Sequence, residues 1–205
     1  MAEIILAIIS ILGVAGTFYY GYKSLRLART RTHFDWTQMR NAGRLLSNSI
    51  TRRFKPDMIL AIKGGGGIFA HLILFEMGEE IPLDIIKLLP KSDPTDRFSS
   101  DDFLLKHTTK WNYFIPKELG RCKHLKVLLV DDFAITGDSL SKLREALMEL
   151  GFPRAHITTA SAICSQAAID AQNQPDFYWT KSQTVKVYLP WGPGQKLERM
   201  GIVSY

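Results

Sequence analysis

The sequence VLLVDDFAITGDS, residues 127–139, contains the pattern on which the interpretation of the fold depends. Its apolar run stops at two adjacent carboxylates, Asp131 and Asp132, and an amphipathic segment follows at 138–150. This order predicts a buried strand, a polar loop and a helix. Because N–H groups at a helix start lack intrahelical acceptors and the helix dipole favours anions, the junction predicts a phosphate site. The alternative is a plain turn in which Asp138 or Ser139 caps the helix.

A second strand–loop–helix junction lies earlier in the chain, in the stretch PDMILAIKGGGGIFA at 56–70. Met58–Ile62 is apolar and predicts a short strand, and 68–77 predicts a helix. Between them lie a lysine and four glycines, whose backbone can adopt positive φ and approach an anion closely. The alternative is a tight turn without a ligand. The residues of this candidate loop are Lys63, Gly64, Gly65, Gly66 and Gly67.

The remaining pattern predicts an α/β fold with a mostly parallel sheet flanked by helices. Apolar residues recur at helical spacing over 36–53, and apolar runs at 81–89, 156–163 and 184–189 suggest further strands. Both candidate loops would then lie at carboxyl ends of strands, where a reversal of strand order forms a binding crevice. About 170 residues, taken as 34–205, suffice for a single domain with its own core.

The polar stretch from 90 to 113 is long for a structureless loop inside a compact domain, which predicts a functional lid over the crevice. Its cations are candidates for contact with an anionic ligand, although each alone is also typical of a solvated surface. They are Lys91, Arg97, Lys106 and Lys110.

Residues 4–22 contain no charged side chain and, at about 1.5 Å per residue, would just cross a bilayer core. The sequence therefore predicts a transmembrane anchor at 1–22 and a basic juxtamembrane linker at 23–33. Because four cations follow the apolar run, the amino terminus is expected outside and the domain in the cytoplasm. A cleaved signal peptide and a buried helix are the alternatives. The cations are Lys23, Arg26, Arg29 and Arg31.

The net charge of +6 does not indicate a nucleic-acid partner. Without Glu3 and the four juxtamembrane cations, 22 basic and 19 acidic side chains remain, so much of the excess lies where it would attract lipid headgroups. No nucleic-acid-binding motif is recognisable. Cys122 and Cys164 are isolated, which favours a reducing compartment over a disulfide framework or a zinc site.

Five segments in order resemble type I phosphoribosyltransferases, most closely those that act on xanthine, guanine and hypoxanthine. The segments are 34–36, 56–70, 127–139, 175–178 and 190–192. The resemblance implies transfer of ribose 5-phosphate from 5-phosphoribosyl 1-pyrophosphate (PRPP) to a purine-like or other nucleobase, with release of pyrophosphate. It also implies Mg²⁺ as cofactor and a homo-oligomer, at least a dimer.

The same resemblance implies roles for individual residues. Asp131 and Asp132 would accept hydrogen bonds from the ribose hydroxyls and help to bind Mg²⁺ through PRPP. The loop at 63–67 would hold pyrophosphate, and Trp191 would be either a platform for the base or a core residue. The 5-phosphate would be held by Ile135, Thr136, Gly137, Asp138 and Ser139.

Several positions depart from the pattern of that family. Ile135 stands where relatives often carry Asp or Thr, so a proton acceptor would be missing, and Gly64 stands where an arginine is usual. Lys186 replaces the aromatic residue that stacks on the base, while Asp138 places a negative charge beside the expected phosphate unless it points away. The alternative function is therefore a PRPP- or nucleotide-binding regulatory protein, or an antiphage-type effector, with lost or altered base transfer.

Overall fold

The computed structural model describes residues 32–78, 80–91, 101–108 and 110–192. These residues form an α/β domain in which helices cover both faces of a seven-stranded sheet. The helices are α1 (Trp36–Arg53), α2 (Gly65–Met77), α3 (Asp138–Glu149) and α4 (Gln166–Asp170). The strands are β1 (Thr32–His33), β2 (Met58–Ile62), β3 (Leu83–Pro90), β4 (Phe103–His107), β5 (Trp111–Pro116), β6 (Val127–Ala134), β7 (Ile157–Ser165), β8 (Phe177–Ser182) and β9 (Val187–Tyr188).

The main sheet has the order β4-β5-β3-β2-β6-β7-β8. Its five strands from β3 to β8 are parallel, whereas β5 and β4 extend it as an antiparallel hairpin. The expectation of a mostly parallel sheet is thus confirmed. Since the chain runs from β2 to β3 on one side and reaches β6 on the other, the strand order reverses between β2 and β6. A crevice between the loops that follow these two strands is the expected ligand site.

Helix α1 begins at a capping box, which fixes the entry of the chain into the domain. The Asp35 carboxylate accepts from the Gln38 N–H at 2.7 Å, and the Gln38 side chain accepts from the Asp35 N–H at 2.9 Å. This arrangement satisfies donors that a helix start leaves unpaired. The helix buries a stripe that includes Met39, Leu46 and Ile50 against the sheet and α2.

An apolar layer covers each face of the sheet. This agrees with the continuous apolar runs of its central strands, which are typical of strands buried on both faces. One layer contains α1 and α2 with residues of β6 that include Leu128 and Val130. The other contains α3 with Leu129 and, from β5, the fully buried Tyr113. The carboxyl end of β6 therefore lies between α2 on one face and α3 on the other.

The described part of the polar stretch at 90–113 is not a structureless loop, and its function as a lid stays a prediction. Its described residues include all of β4 and the start of β5, which pair from Phe103↔Pro116 to His107↔Asn112. The prediction missed the hairpin because both strands are short and carry polar residues between their apolar ones. Strand β6 also continues four residues beyond the apolar run, because β7 pairs with it as far as Ala134↔Cys164. The acid pair, Asp131 and Asp132, consequently lies within β6 and not in the loop after it.

No helix in the described ranges is long and apolar enough to span a bilayer. The predicted anchor at 1–22 and most of the predicted linker lie outside those ranges, as does Arg97. The location of the domain relative to a membrane stays a prediction.

Candidate active site

The carboxyl groups of the acid pair are adjacent and partly removed from solvent, and both conditions disfavour their ionisation together. Burial and the neighbouring Asp132 carboxylate hold the pKa of Asp131 well above its ordinary value. The Asp132 N–H donates to Asp131 Oδ1 at 2.9 Å, which fixes one oxygen of this carboxylate. Because two like charges on adjacent residues repel, a cation or a set of donor groups beside the pair would favour the fully ionised state.

A cavity of about 470 Å³ opens beside this pair at the strand-order reversal. This volume is within the usual range of small-ligand sites. The acid pair and the loop after β6 form one side, Lys63 comes from the loop after β2, and the β4–β5 hairpin forms the other side. The lining residues are Ile62, Lys63, Leu88, Thr108, Lys110, Trp111, Tyr113, Asp131, Asp132, Phe133, Ala134, Ile135, Thr136, Gly137, Asp138, Ser139 and Leu140.

The loop after β6 turns directly into α3 and points the start of this helix into the cavity. Gly137 caps the helix with φ 77°, a left-handed conformation that favours glycine, and no side chain caps it. The Asp138 N–H donates weakly to Thr136 Oγ1 at 3.4 Å, and the next N–H groups of the first turn remain available to an anion. This arrangement differs from a plain turn capped by Asp138 or Ser139. The Asp138 carboxylate instead accepts from Asn173 Nδ2 at 3.2 Å, which directs its charge toward Asn173.

Two side chains from the segment around α4 fix the same loop from behind. Ser165 Oγ donates to the Ile135 carbonyl, and Asn173 Nδ2 donates to the Thr136 carbonyl at 2.8 Å. Asn173 Oδ1 also accepts from Ser141 Oγ on α3. Side-chain donors thereby bond two of the loop's carbonyl oxygens, so the loop is organised before any ligand arrives.

The glycine-rich segment contacts the acid pair and leaves only Lys63 of its five residues in the cavity lining. Gly64 has φ 100°, and Gly65, Gly66 and Gly67 form the first turn of α2. A Cβ on Gly65 would lie 1.7 Å from Asp132 Oδ2, and one on Gly66 would lie 3.1 Å from the Val130 carbonyl. These glycines let the helix start approach the end of β6 closely.

Trp191 lies outside the cavity lining and contacts the acid pair from the α2 side. Its Nε1–H donates to Asp132 Oδ2 at 2.8 Å, while its ring packs against Trp36 and Phe69 at centroid distances of 5.7 and 6.5 Å. Of the two roles expected for Trp191, this geometry matches the core residue. The hydrogen bond to Asp132 adds a role in orienting the acid pair.

Two further features of the site were not anticipated from the sequence. The Tyr113 hydroxyl donates to Ser139 Oγ at 2.6 Å and so reaches the loop from β5. The second feature is the ion pair of Lys106 with Glu149 on α3, whereas Lys110, another of the predicted lid cations, lines the cavity as the sequence suggested. Neither contact is indicated by the neighbouring sequence, because each depends on how the hairpin packs against α3.

Known structures share this fold over most of the chain. A purine phosphoribosyltransferase from Pyrococcus horikoshii has 24% identity and a TM-score of 0.60, covering 78% of this chain and 93% of that one. The xanthine-guanine-hypoxanthine phosphoribosyltransferase of Helicobacter pylori has 15% identity and a TM-score of 0.57, covering 83% and 99%. A Neisseria gonorrhoeae protein crystallised with bound ppGpp has 16% identity and a TM-score of 0.60, covering 85% and 98%.

The family of the chain follows from comparison with family models. No curated protein sequence matches the chain significantly. The family described as phosphoribosyl transferase domain, however, matches residues 35–196, which include both loops, the acid pair and Trp191. With the strand-order reversal at the cavity and the fold shared with purine phosphoribosyltransferases, the chain belongs to the phosphoribosyltransferase domain family.

Proposed function

We propose that this protein is a membrane-anchored phosphoribosyltransferase that transfers ribose 5-phosphate from PRPP to a purine-like nucleobase. One observation carries the proposal: a single cavity joins the acid pair, the open start of α3 and the cation Lys63. PRPP, in which a ribose joins a phosphate to a pyrophosphate, requires all three: a helix start for the phosphate, carboxylates for the ribose and a cation for the pyrophosphate.

In the proposed reaction a base nitrogen forms a bond to the anomeric carbon as the bond to pyrophosphate oxygen breaks. The transition state resembles the oxocarbenium ion of glycoside hydrolysis. Asp131 and Asp132 would orient the ribose hydroxyls, residues 135–139 would hold the 5-phosphate, and Lys63 would face the leaving pyrophosphate. The chain thus acts by positioning, by electrostatic support and by excluding water.

The acid pair also suits Mg²⁺, which is bound in many phosphate-handling sites by one or two carboxylates together with substrate phosphates. Asp131 provides such an oxygen ligand in the cavity, and its raised pKa identifies a carboxylate that a cation would stabilise. Bound Mg²⁺ would neutralise charge on the pyrophosphate. Within the described ranges no three His, Cys, Asp or Glu side chains converge on one point.

The proposal is tested by titrating Mg²⁺–PRPP into the full-length chain by calorimetry. Asp131→Asn with Asp132→Asn should abolish binding, because the ribose loses both carboxylates. The control replaces two exposed carboxyls outside the cavity, Glu80→Gln with Glu118→Gln, which makes the same change in net charge. A folded wild-type chain that ignores PRPP, or a double variant that still binds it, would contradict the proposal.

A second candidate is a nucleotide-binding regulatory or effector protein that keeps the phosphoribosyl site without base transfer. Ile135 favours it, since this exposed apolar side chain in the loop supplies no proton acceptor. The Neisseria protein with bound ppGpp shares the fold with this chain. Release of pyrophosphate from PRPP in the presence of any nucleobase would exclude this candidate. Binding without release, across a panel of purines and pyrimidines, would favour it.

Membrane attachment is a proposal supported by the sequence alone. Residues 4–22 would span the bilayer once, with the amino terminus outside and the domain in the cytoplasm. Extraction of membranes with alkaline carbonate should leave the full-length chain in the pellet. Protease added to intact cells should not reach the domain. Release by carbonate, or cleavage of the domain from outside, would contradict this topology.

A further inference from the structure

The segment that was expected to supply a platform for the base is held against the start of the domain instead. The Thr32 N–H donates to the Lys186 carbonyl at 3.2 Å, and the Phe34 N–H donates to the Tyr188 carbonyl at 2.9 Å. This pairing of β1 with β9 fixes the backbone that leads to Trp191. Neither Lys186, Tyr188 nor Trp191 lines the cavity. The segment therefore has its contacts within the protein.

Trp191 is packed between two aromatic rings and presents its one polar atom to the acid pair. Its ring lies against Trp36 and Phe69, with centroids 5.7 and 6.5 Å away. Its Nε1–H donates to Asp132 Oδ2 at 2.8 Å. Because an indole N–H donates and never accepts, this oxygen of Asp132 is fixed as an acceptor.

The backbone of α2 closes over this hydrogen bond. A Cβ on Gly65 would lie 1.7 Å from Asp132 Oδ2 and 2.4 Å from Trp191 Nε1, so the bond lies directly against the first turn of the helix. Little water can compete for its atoms there, and a hydrogen bond shielded from water is stronger than an exposed one. Asp132 also lines the cavity. Its carboxylate is thus held by the protein on one side and borders the ligand site on the other.

We propose that Trp191 is a positioning residue, which orients the Asp132 carboxylate for the ribose hydroxyls of PRPP and is itself held in place by Trp36. This inference rests on the proposed function and gives the segment after β9 a role other than base stacking. A carboxylate that is oriented in advance lowers the cost of ordering the site when the ligand binds. The effect depends on the ribose hydroxyls, because Asp132 takes no part in holding the 5-phosphate.

The test compares ribose 5-phosphate with its 2-deoxy and 3-deoxy analogues, which keep the phosphate and lack one hydroxyl each. Calorimetry on the full-length chain should show ribose 5-phosphate binding about 10- to 150-fold more tightly than each analogue, the factor of one hydrogen bond to a charged group. Trp191→Phe keeps an aromatic ring for packing and removes the donor. It should bring at least one of the two ratios close to one.

Trp36→Leu tests the support of Trp191 by a substitution that leaves the core filled, since Trp36 is 50% exposed. It should lower the same ratio by a smaller factor, because the indole N–H of Trp191 remains. An unchanged ratio would overturn the role of Trp36. Trp179→Phe is the control: Trp179 packs in the same apolar layer, 5.6 Å from the Phe34 ring, and lies outside the cavity lining. It should leave both ratios unchanged.

A purely structural role for Trp191 predicts a different result, in which Trp191→Phe weakens the binding of all three sugars by the same factor. That result, or a wild-type chain that binds the three sugars equally, would overturn the inference. The proposed function would still be supported if PRPP binds and the Asp131→Asn/Asp132→Asn variant loses it. If the folded wild-type chain does not bind PRPP, the proposed function fails and this inference fails with it.

Discussion

The hydrogen bond from Tyr113 determines which way the hydroxyl of Ser139 points. A serine hydroxyl has one proton to donate and two lone pairs that accept. Because the Tyr113 hydroxyl donates to Ser139 Oγ, the serine can donate its own proton to an acceptor in the cavity. Burial raises the pKa of Tyr113, with a smaller contribution from Asp131, so this hydroxyl remains a donor at neutral pH.

Tyr113→Phe should therefore weaken PRPP binding without altering the chemical step. A hydrogen bond of this kind contributes about 0.5–1.5 kcal/mol, which corresponds to a two- to tenfold increase in KM for PRPP. Steady-state kinetics should show kcat nearly unchanged. Tyr178→Phe removes a hydroxyl outside the cavity and is the control. A large loss of kcat in Tyr113→Phe would contradict the positioning role.

Gly65 is required by the contact between α2 and the acid pair. A Cβ there would lie 1.7 Å from Asp132 Oδ2 and 2.4 Å from Trp191 Nε1, so Gly65→Ala must displace both partners. We expect the free energy of unfolding to fall by about 1–3 kcal/mol, as for other overpacked sites, and PRPP binding to weaken. Urea unfolding followed by circular dichroism measures the first effect.

Gly67→Ala provides the matched control for this substitution. It lies in the same helical turn, but its Cβ would meet the end of the flexible Ile85 side chain at 3.2 Å. Alanine also favours a helix over glycine by about 1 kcal/mol, so this variant should be neutral or more stable. Equal destabilisation by both substitutions would refute the explanation by steric overlap with Asp132.

Residues with a local signal were predictable, and residues whose role comes from packing were not. The sequence indicated the acid pair and the loop at 135–139 as one site, because an apolar strand, carboxylates and a helix start follow one another, and these residues line one cavity. Tyr113, Ser165 and Asn173 approach that loop from 22 or more residues away, and nothing near them in the sequence indicates this. The same applies to Trp191, whose partner Asp132 is 59 positions away.

At the scale of elements, the segment between α4 and β8 supports the start of α3. Asn173 joins them, since its amide bonds to the Thr136 carbonyl, to the Asp138 carboxylate and to Ser141 Oγ. The close approach requires Gly137, where a Cβ would lie 1.8 Å from the Asn173 carbonyl oxygen. The loop therefore keeps its shape only while this segment is packed against it.

Asn173→Ala should raise the dissociation constant of PRPP about tenfold, because the loop loses its support and Asp138 is free to turn toward the phosphate. Calorimetry measures the change. Adding Asp138→Asn to this variant should recover part of the affinity, since the repulsive charge is removed. Asn48→Ala on the exposed face of α1 is the control. If the added substitution recovers nothing, Asp138 does not act through its charge.

Helices and strands with a clear hydrophobic period were predicted well. Strands that form only by pairing with a distant strand were not. Helix α1 and strand β2 match their predicted bounds, because the spacing of their apolar residues is clear in the sequence. The hairpin β4–β5 and strand β8 were missed, since β4 and β8 are edge strands with mixed polar and apolar residues and β5 is short and follows a polar stretch. The apolar run at 184–189 forms only the short β9, which pairs with β1 outside the main sheet.

For the whole molecule, the acid pair connects stability with ligand binding. The carboxyl of Asp131 keeps its proton to higher pH in the folded chain than in the unfolded chain, because its folded pKa is raised. Its contribution to stability is therefore fully present below about pH 4, the ordinary value for this group, and is lost as the pH rises through the raised pKa. Without ligand, the folded chain is destabilised at neutral pH by the carboxylate that PRPP and Mg²⁺ would require.

Asp131→Asn should consequently stabilise the ligand-free protein while it weakens the binding of Mg²⁺–PRPP. The gain in free energy of unfolding should be about 1.4 kcal/mol for each unit by which the pKa is raised, and should be larger at pH 8 than at pH 5. Asparagine retains an oxygen that accepts from the Asp132 N–H, so the backbone contact survives. Urea unfolding at both pH values measures the gain, and Glu118→Gln should show no such dependence on pH. A variant that is less stable than the wild type at pH 8 would mean that the Asp131 carboxylate supports the fold, and the site would then not be held in a strained state that its ligand relieves.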